Sequence, residues 1–202
     1  MKSVGVLYMV AGRGRHVAPS RAEREADLVL RILDRDHRAF HELYSAYRPR
    51  LTRFLTNLIN RPPLVEEVVN DTMMVVWDRV ESFKGDSKLS TWIFAIAYRK
   101  GMKALKRNDD PVEDVENEVH ASLEPGPEER ASEDQKHTSL KVALGQLSAD
   151  HQVVVDLTYF HEMGYREIAE IMECPVDTVK TRMFYARKHL KQILSGDKSD
   201  WL

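Results

Sequence analysis

An acidic, proline-bearing stretch from Asn108 to Lys136 limits most what this chain can fold into. It holds eleven acidic and two basic residues, a net charge of −9, whereas the rest of the 202 residues carry +7. Three prolines and the lack of apolar periodicity are typical of an extended, solvated linker, and composition alone favours a solubilising spacer. The overall net charge of −2 therefore hides two basic units, and it does not exclude a nucleic-acid binder.

The first 24 residues are not predicted to belong to either basic unit. Lys2 and the apolar run from Val4 to Ala11 have a faint likeness to a signal peptide, but the run is short and a basic segment follows it. We expect a disordered arm, or an extension whose true start lies later, for example at Met9. The Gly-x-Gly at 12–14 has no strand before it and does not predict a phosphate loop.

Composition excludes several other classes. The single cysteine, Cys174, cannot form an internal disulfide or a cysteine-based zinc site, which predicts an intracellular protein. His37 and His41 lie one helical turn apart without a third ligand, so we expect an exposed pair and no metal. Apolar runs fall far short of the ~18 residues that span a bilayer, so we expect a cytoplasmic protein without membrane insertion.

From Asp27 to Arg107 the pattern predicts consecutive helices. Asp27 is expected to cap the first helix, and Pro49 is expected to break or kink it. A second helix is expected to run to about Ile59 and to be stopped by Arg61-Pro62-Pro63.

The next predicted helix, 64–81, has two distinct faces at helical spacing. One is apolar and predicted to be core: Val65, Val69, Thr72, Met73, Val76 and Val80. The opposite one is largely acidic: Glu67, Asp71, Met74, Asp78 and Glu81. It is either an ordinary solvated face or a docking surface for a basic helix of a partner.

A polar loop over 82–90 precedes a helix that begins near Ser90 or Thr91 and runs to Arg107. Aromatic and basic side chains interleave here: Phe83, Trp92, Phe94 and Tyr98 with Lys84, Lys88, Arg99, Lys100, Lys103, Lys106 and Arg107. Such a mixture suits single-stranded nucleic acid, because nucleobases stack on aromatic rings while lysine and arginine side chains neutralise phosphates. The alternative is that some of these aromatics are simply core.

The C-terminal part predicts a helix-turn-helix. A first helix is predicted through Leu140, Leu144 and Leu147, and a second is capped by Ser148 or Asp150 and ended by Gly164. The motif itself follows: a helix over Tyr165–Met172, a turn over 173–176, and a helix over 178–194 that Asp177 caps. The last helix has a buried stripe: Val179, Met183, Ala186, Leu190 and Ile193. Its other faces are basic. We expect its first exposed turns to reach the edges of nucleobases, through Thr178, Lys180, Thr181, Phe184 and Tyr185. Basic residues further along the helix are expected to contact phosphates.

The order of these elements and three local strings resemble a bacterial extracytoplasmic-function sigma factor of the sigma-70 family. The strings are residues 66–71 (EEVVND), 83–92 (FKGDSKLSTW) and 165–182 (YREIAEIMECPVDTVKTR). The resemblance covers roughly Asp27 to Leu194. Departures from the family are Asp177, where Gly is common, and Tyr185, Ala95 and Arg99, so a promoter sequence cannot be carried over.

The resemblance implies three binding roles and no cofactor. The acidic face would meet the clamp coiled coil of core RNA polymerase through Glu67, Asn70, Asp71, Met74 and Asp78. The −10 promoter element would be melted and held as a single strand by Phe83, Lys84, Ser87, Trp92, Phe94 and Arg99. The −35 element would be read as duplex by Thr178, Lys180, Thr181, Arg182, Phe184, Tyr185 and Lys188.

The family also implies an anti-sigma factor as partner, and a linker that runs toward the RNA exit path, where a charge of −9 could imitate nucleic acid. We therefore expect an all-α protein with a sigma-2-like helical bundle at 25–107, a flexible acidic linker at 108–137 and a sigma-4-like helix-turn-helix at 138–195, flanked by an arm at 1–24 and a tail at 196–202. The alternative function is a helix-turn-helix transcription activator that is not a polymerase subunit. An enzyme is not expected, because no nucleophile elbow, phosphate loop or catalytic dyad is found.

Overall fold

The computed structural model describes residues 20–59, 61–108 and 142–196, and the regular elements in these ranges are helical. In chain order they are α1 (Arg21–Leu33), α2 (His37–Ile59), α3 (Pro62–Asp78), a 3-10 helix (Val80–Ser82), α4 (Leu89–Asn108), a helical turn over 142–145, α5 (Ala149–Tyr159), α6 (Tyr165–Met172) and α7 (Val176–Gly196). The predicted all-α fold with two helical units is confirmed. The predicted arm up to residue 19, the linker from 109 and the tail from 197 lie outside the described residues.

The first helix begins earlier than predicted. Ser20, not Asp27, is its N-cap: the Ser20 hydroxyl accepts a hydrogen bond from the Glu23 N–H at 3.2 Å, and the Glu23 carboxylate accepts one from the Ser20 N–H at 2.7 Å. This reciprocal capping box satisfies two amide groups that a helix start leaves without partners. Asp27 lies within the helix, where it pairs with Arg31.

The break expected at Pro49 occurs instead at residues 34–36, where Arg35 adopts a left-handed φ of 60°. α2 continues through Pro49, which is exposed. A proline inside a helix removes one backbone hydrogen bond, but at an exposed position water can satisfy the freed carbonyl. Burial of Tyr47 and Leu51 on the other side of the helix compensates for that loss.

The core stripe predicted for the helix over 64–81 is confirmed, because all six of its residues are buried. The helix itself ends at Asp78, however, so Val80 lies on the 3-10 helix that follows. Pro62 opens the helix, as proline's fixed φ suits a first helical position, so the helix begins two residues before the predicted start at 64. α4 packs against both α2 and α3. Gly101 permits this approach: a Cβ there would lie only 3.0 Å from a methyl carbon of Leu58.

The C-terminal unit contains the predicted helix-turn-helix, formed by α6 and α7. The predicted end of α5 at Gly164 was wrong: α5 already ends at Tyr159, and Gly164 is the N-cap of α6. Asp177 lies in the first turn of α7 and is not its cap. Glu173, with a left-handed φ of 52°, ends α6 and reverses the chain into the turn.

The two units pack directly on one another. α2 contacts α5, and α4 contacts α6, the first helix of the helix-turn-helix. Side chains from both units form one continuous buried cluster in this arrangement.

Candidate nucleic-acid and protein interfaces

The acidic face of α3 is open to solvent. Its members Glu67, Asn70, Asp71, Met74 and Asp78 are all exposed, while the stripe opposite is buried. An apolar Met74 in the middle of this face, 53% exposed, adds a contact that a purely solvated face does not need.

Basic residues of α4 hold two of these carboxylates. Lys100 Nζ lies 3.0 Å from Asp71 Oδ2, and Arg107 Nη2 lies 3.2 Å from Glu67 Oε1. The Tyr44 hydroxyl donates to Asn70 Oδ1 at 3.0 Å. Since both ion pairs are largely exposed, each contributes about 1 kcal/mol or less, and a basic partner can replace the internal bases at small cost.

The loop after α3 and the start of α4 bring aromatic and polar side chains together. Phe83 and Trp92 pack with ring centroids 5.5 Å apart and are half-buried, Lys84 is exposed and Ser87 is half-buried. Gly85, with a φ of +77°, supplies the left-handed backbone that turns this loop.

Phe94 and Arg99 are placed differently from the rest of this set. Phe94 is fully buried against Phe54 and His161, so in this arrangement it offers no ring face to DNA. Arg99 is exposed, but its guanidinium donates to Glu173 Oε1 of the other unit at 2.7 Å. Phe94 is therefore a core residue in this arrangement.

The exposed side of α7 carries most of the residues predicted to read duplex DNA. Phe184 and Tyr185 are 63% and 52% exposed and meet edge to face, with centroids 5.4 Å apart. Lys180 is exposed and pairs with Asp177 at 2.9 Å, and the Thr181 hydroxyl donates to the Asp177 carbonyl. Lys188 is exposed and Thr178 is half-buried, so this side presents apolar, hydroxyl and cationic groups together.

Arg182 faces inward, away from that set. Its guanidinium bonds to the Asp150 carboxylate and lies 3.7 Å from Cys174 Sγ, so it joins α7 to the start of α5 and to the turn of the motif. The sequence pattern of bases along α7 cannot separate this internal arginine from its exposed neighbours.

Replacing Arg182 with alanine is expected to lower the stability of the C-terminal unit by about 1 to 2 kcal/mol, because Asp150 loses its partner while remaining partly hydrated. Thermal unfolding followed by circular dichroism measures this change. Arg187→Ala is the matched control, since Arg187 is exposed and its guanidinium bonds to and lies over the Tyr159 side chain, which is also exposed. Equal melting temperatures for both variants would contradict an anchoring role for Arg182.

Glu167 has a double role at the start of α6. Its carboxylate accepts from the Gly164 N–H at 3.0 Å, which caps the helix, and it also lies 3.1 Å from Nζ of Lys88, the residue just before α4. Partial burial opposes ionisation of Glu167, but the hydrogen bonds from Gly164 and Lys88 prevail and lower the pKa of its carboxyl.

The remaining candidates form no further site in the described ranges. His37 is exposed and stacks on Trp77 at 4.8 Å, and no cluster of three or more potential metal ligands occurs among the described residues. No helix in the part of the chain that the structure covers is long and apolar enough to cross a membrane.

Both units match known sequence families. The model for sigma-70 region 2 matches residues 43–110, and the model for sigma-70 region 4 matches residues 137–190. Together these matches cover more than half of the chain, in the order that the fold shows. The chain is an extracytoplasmic-function (ECF) sigma factor of the sigma-70 family.

Curated relatives support the same membership for this ECF sigma factor. An ECF RNA polymerase sigma-E factor from Haemophilus influenzae is 29% identical over 174 residues, which covers 81% of this chain and 92% of that protein. An RNA polymerase sigma-H factor from Pseudomonas aeruginosa is 26% identical over 182 residues, which covers 85% of this chain and 94% of that protein. At these coverages both alignments extend over parts of both units.

Two solved structures are similar in fold. RpoE from Bartonella quintana, in complex with the anti-sigma factor NepR, is 25% identical with a TM-score of 0.59, and covers 78% of this chain and 98% of that chain. CnrH, in complex with the cytosolic domain of CnrY, is 20% identical with a TM-score of 0.65, and covers 86% of this chain and 99% of that chain.

Proposed function

We propose that this alternative sigma factor, which directs transcription initiation, uses three separate faces to bind core RNA polymerase, the −10 element and the −35 element. The acidic face of α3 binds core RNA polymerase through Glu67, Asn70, Asp71, Met74 and Asp78. The loop before α4 and the start of that helix hold the melted −10 element through Phe83, Lys84, Ser87, Trp92 and Arg99. The exposed side of α7 reads the −35 duplex through Thr178, Lys180, Thr181, Phe184, Tyr185 and Lys188.

The observation that carries this proposal is the chemical contrast between the faces. α3 presents carboxylates around an exposed methionine within a basic domain, which suits a cationic protein partner. α4 and its loop combine aromatic rings with lysine and arginine, which suits unstacked bases and phosphates. α7 follows a tight turn and exposes lysine, threonine and aromatic side chains, which suits the major groove.

The protein acts by binding and adds no catalytic chemistry of its own. The relatives named above are sigma factors, and neither a metal nor a cofactor is needed for the roles proposed here. We place the protein in the cytoplasm, where core polymerase and the promoter are found.

An anti-sigma factor is a further proposed partner. The similar RpoE structure contains an anti-sigma factor, and a protein that covers α3 or the −10 face of this chain would block the same functions. The acidic segment 108–137 is proposed to link the two domains, 25–107 and 138–195, and to lie near the RNA exit path of the polymerase.

A reconstituted transcription assay tests the proposal. With purified core polymerase and genomic DNA fragments, we expect initiation at defined sites that depends on this protein. The competing function, a helix-turn-helix activator that does not join the polymerase, predicts sequence-specific DNA binding by the chain alone and no association with core enzyme in gel filtration. That second result would defeat the proposal.

A further inference from the structure

We propose that a cleft between the start of α5 and the second half of α7 binds a backbone phosphate of the −35 duplex, and that His151 and His189 make this contact depend on protonation. The proposal rests on the proposed reading of the −35 element by α7. It adds a phosphate-binding side to the DNA surface, beside the turns of α7 that reach base edges.

The cleft is lined by side chains from two helices. Its lining residues are His151 from the first turn of α5 and Tyr185, Lys188, His189 and Gln192 from α7. Its volume is about 340 Å³, and no acidic side chain is among these lining residues. Two imidazoles, an ammonium group, a phenol and an amide therefore share one cleft without a carboxylate.

The carboxylates of α5 have partners of their own. Asp150 precedes His151 in the chain, but its side chain bonds to the Arg182 guanidinium. Asp156, further along the helix, is buried and lies 3.1 Å from His161 Nε2. Neither carboxylate is among the groups that line the cleft.

The other elements near α5 and α7 add no counter-charge to this lining. No acidic residue follows Asp177 in α7, and the helical turn over 142–145 contains no ionisable residue. On α6, Glu167 and Glu173 are each paired with a basic side chain of the N-terminal unit. The positive charges of the cleft are thus left for a ligand.

Such a set of donors favours an anion. When both imidazoles are protonated, the lining carries three positive charges, which repel one another until an anion joins them. A phosphate accepts hydrogen bonds from imidazolium, ammonium and phenol groups alike. The chemistry of the cleft therefore matches a phosphate group.

The position of the cleft on α7 identifies this phosphate as part of the DNA backbone. Tyr185 and Lys188 belong both to the cleft and to the proposed duplex face. His189 follows Thr181 by eight residues, so it lies about 12 Å further along the helix axis at about 1.5 Å per residue. The major groove is about 12 Å wide and is bordered by phosphates. With Thr181 at a base edge, His189 reaches the strand that borders the groove.

Protonation sets the strength of this contact. Histidine changes its charge between about pH 5 and pH 8, whereas lysine stays charged throughout that range. A phosphate favours the protonated imidazoles, so binding is strongest at low pH and weakens as the pH rises. The −35 element is held more tightly at pH 6 than at pH 8.

The double variant His151→Gln with His189→Gln tests the cleft. Glutamine keeps a polar side chain but cannot take up a proton. Dissociation constants of purified holoenzyme from a −35 duplex, selected from a randomised pool, are measured at pH 6 and pH 8, and the ratio of variant to parent cancels the contribution of the core enzyme. We expect binding about tenfold weaker than that of the parent at pH 6, and within about twofold of it at pH 8. Circular dichroism melts establish that each variant folds.

Three further variants separate protonation from charge and from shape. His151→Lys with His189→Lys keeps the charge at both pH values, so it should bind at pH 8 about as tightly as at pH 6. Lys191→Ala removes an exposed charge elsewhere on α7 and should weaken binding equally at both pH values. His41→Gln makes the same change at an exposed position of α2 and should match the parent.

A loss in the glutamine double variant that is the same at pH 6 and pH 8 would overturn the proposal, because it would reflect lost shape and not lost charge. Parental affinity of that variant at both pH values would overturn it as well. Either result together with core-dependent initiation by the parent refutes the cleft and leaves the proposed function intact. A parent chain that fails to bind core polymerase refutes the proposed function, and the role of the cleft with it.

Discussion

Reversing Asp71 and Asp78 to lysine is expected to weaken binding to core RNA polymerase about 100-fold, or roughly 3 kcal/mol. Both carboxylates lie on the exposed face of α3, about two helical turns apart, where two attractive contacts with a basic partner would become repulsive. The loss should shrink as salt is added, since exposed charges are screened. Titration of labelled core enzyme with the full-length variant measures the dissociation constant.

The fold should tolerate this change, because Asp71 is exposed and its ion pair with Lys100 is worth about 1 kcal/mol or less. A matched control reverses Glu162 and Glu170, two exposed carboxylates on the C-terminal unit, and should keep parental affinity. If both double variants lose affinity equally, net charge rather than the α3 face governs docking. Unchanged affinity of the Asp71 and Asp78 variant would remove the proposed docking surface.

Helical periodicity predicted the elements that bury one face and expose the other. The stripe of α3 and the bounds of α6 follow from apolar spacing, which records burial directly. Boundaries set by a single capping group were harder to predict. Ser20 and Asp27 are both good caps, and only the return bond from Glu23 distinguishes the first. The break predicted at Pro49 was wrong, because a helix tolerates proline where the position is exposed, and the local sequence does not show exposure.

The packing of the two units could not be predicted from spacing. Asn57 and Asp156 are 99 positions apart, and Arg99 and Glu173 are 74 apart, so neither pair leaves a periodic signal. His161, Asn57 and Asp156 were not among the predicted site residues, because a lone polar residue near the end of a helix is ordinary. The aromatic residues of α4 had two alternative roles, in the core or in DNA contact. The structure places Phe94 in the core and leaves Trp92 half-exposed.

The duplex face of α7 offers the second large effect. Replacing Lys180 and Thr181 with alanine should change which −35 sequences are bound and weaken the preferred one tenfold or more, since a base-edge contact is worth about 1 to 3 kcal/mol. Both residues are exposed in the first turns of α7, and their contacts with Asp177 are local to the helix. Binding of holoenzyme to a randomised duplex pool, followed by sequencing, gives the preference at each position.

Lys191→Ala separates base reading from simple charge. Lys191 is exposed further along α7, where a lysine would meet phosphates. Its loss should weaken all sequences alike and reduce the salt dependence by about one phosphate contact, with the sequence preference intact. If the Lys180 and Thr181 variant shows that same uniform loss, α7 supplies charge only, and the −35 preference must come from other residues or from the shape of the DNA.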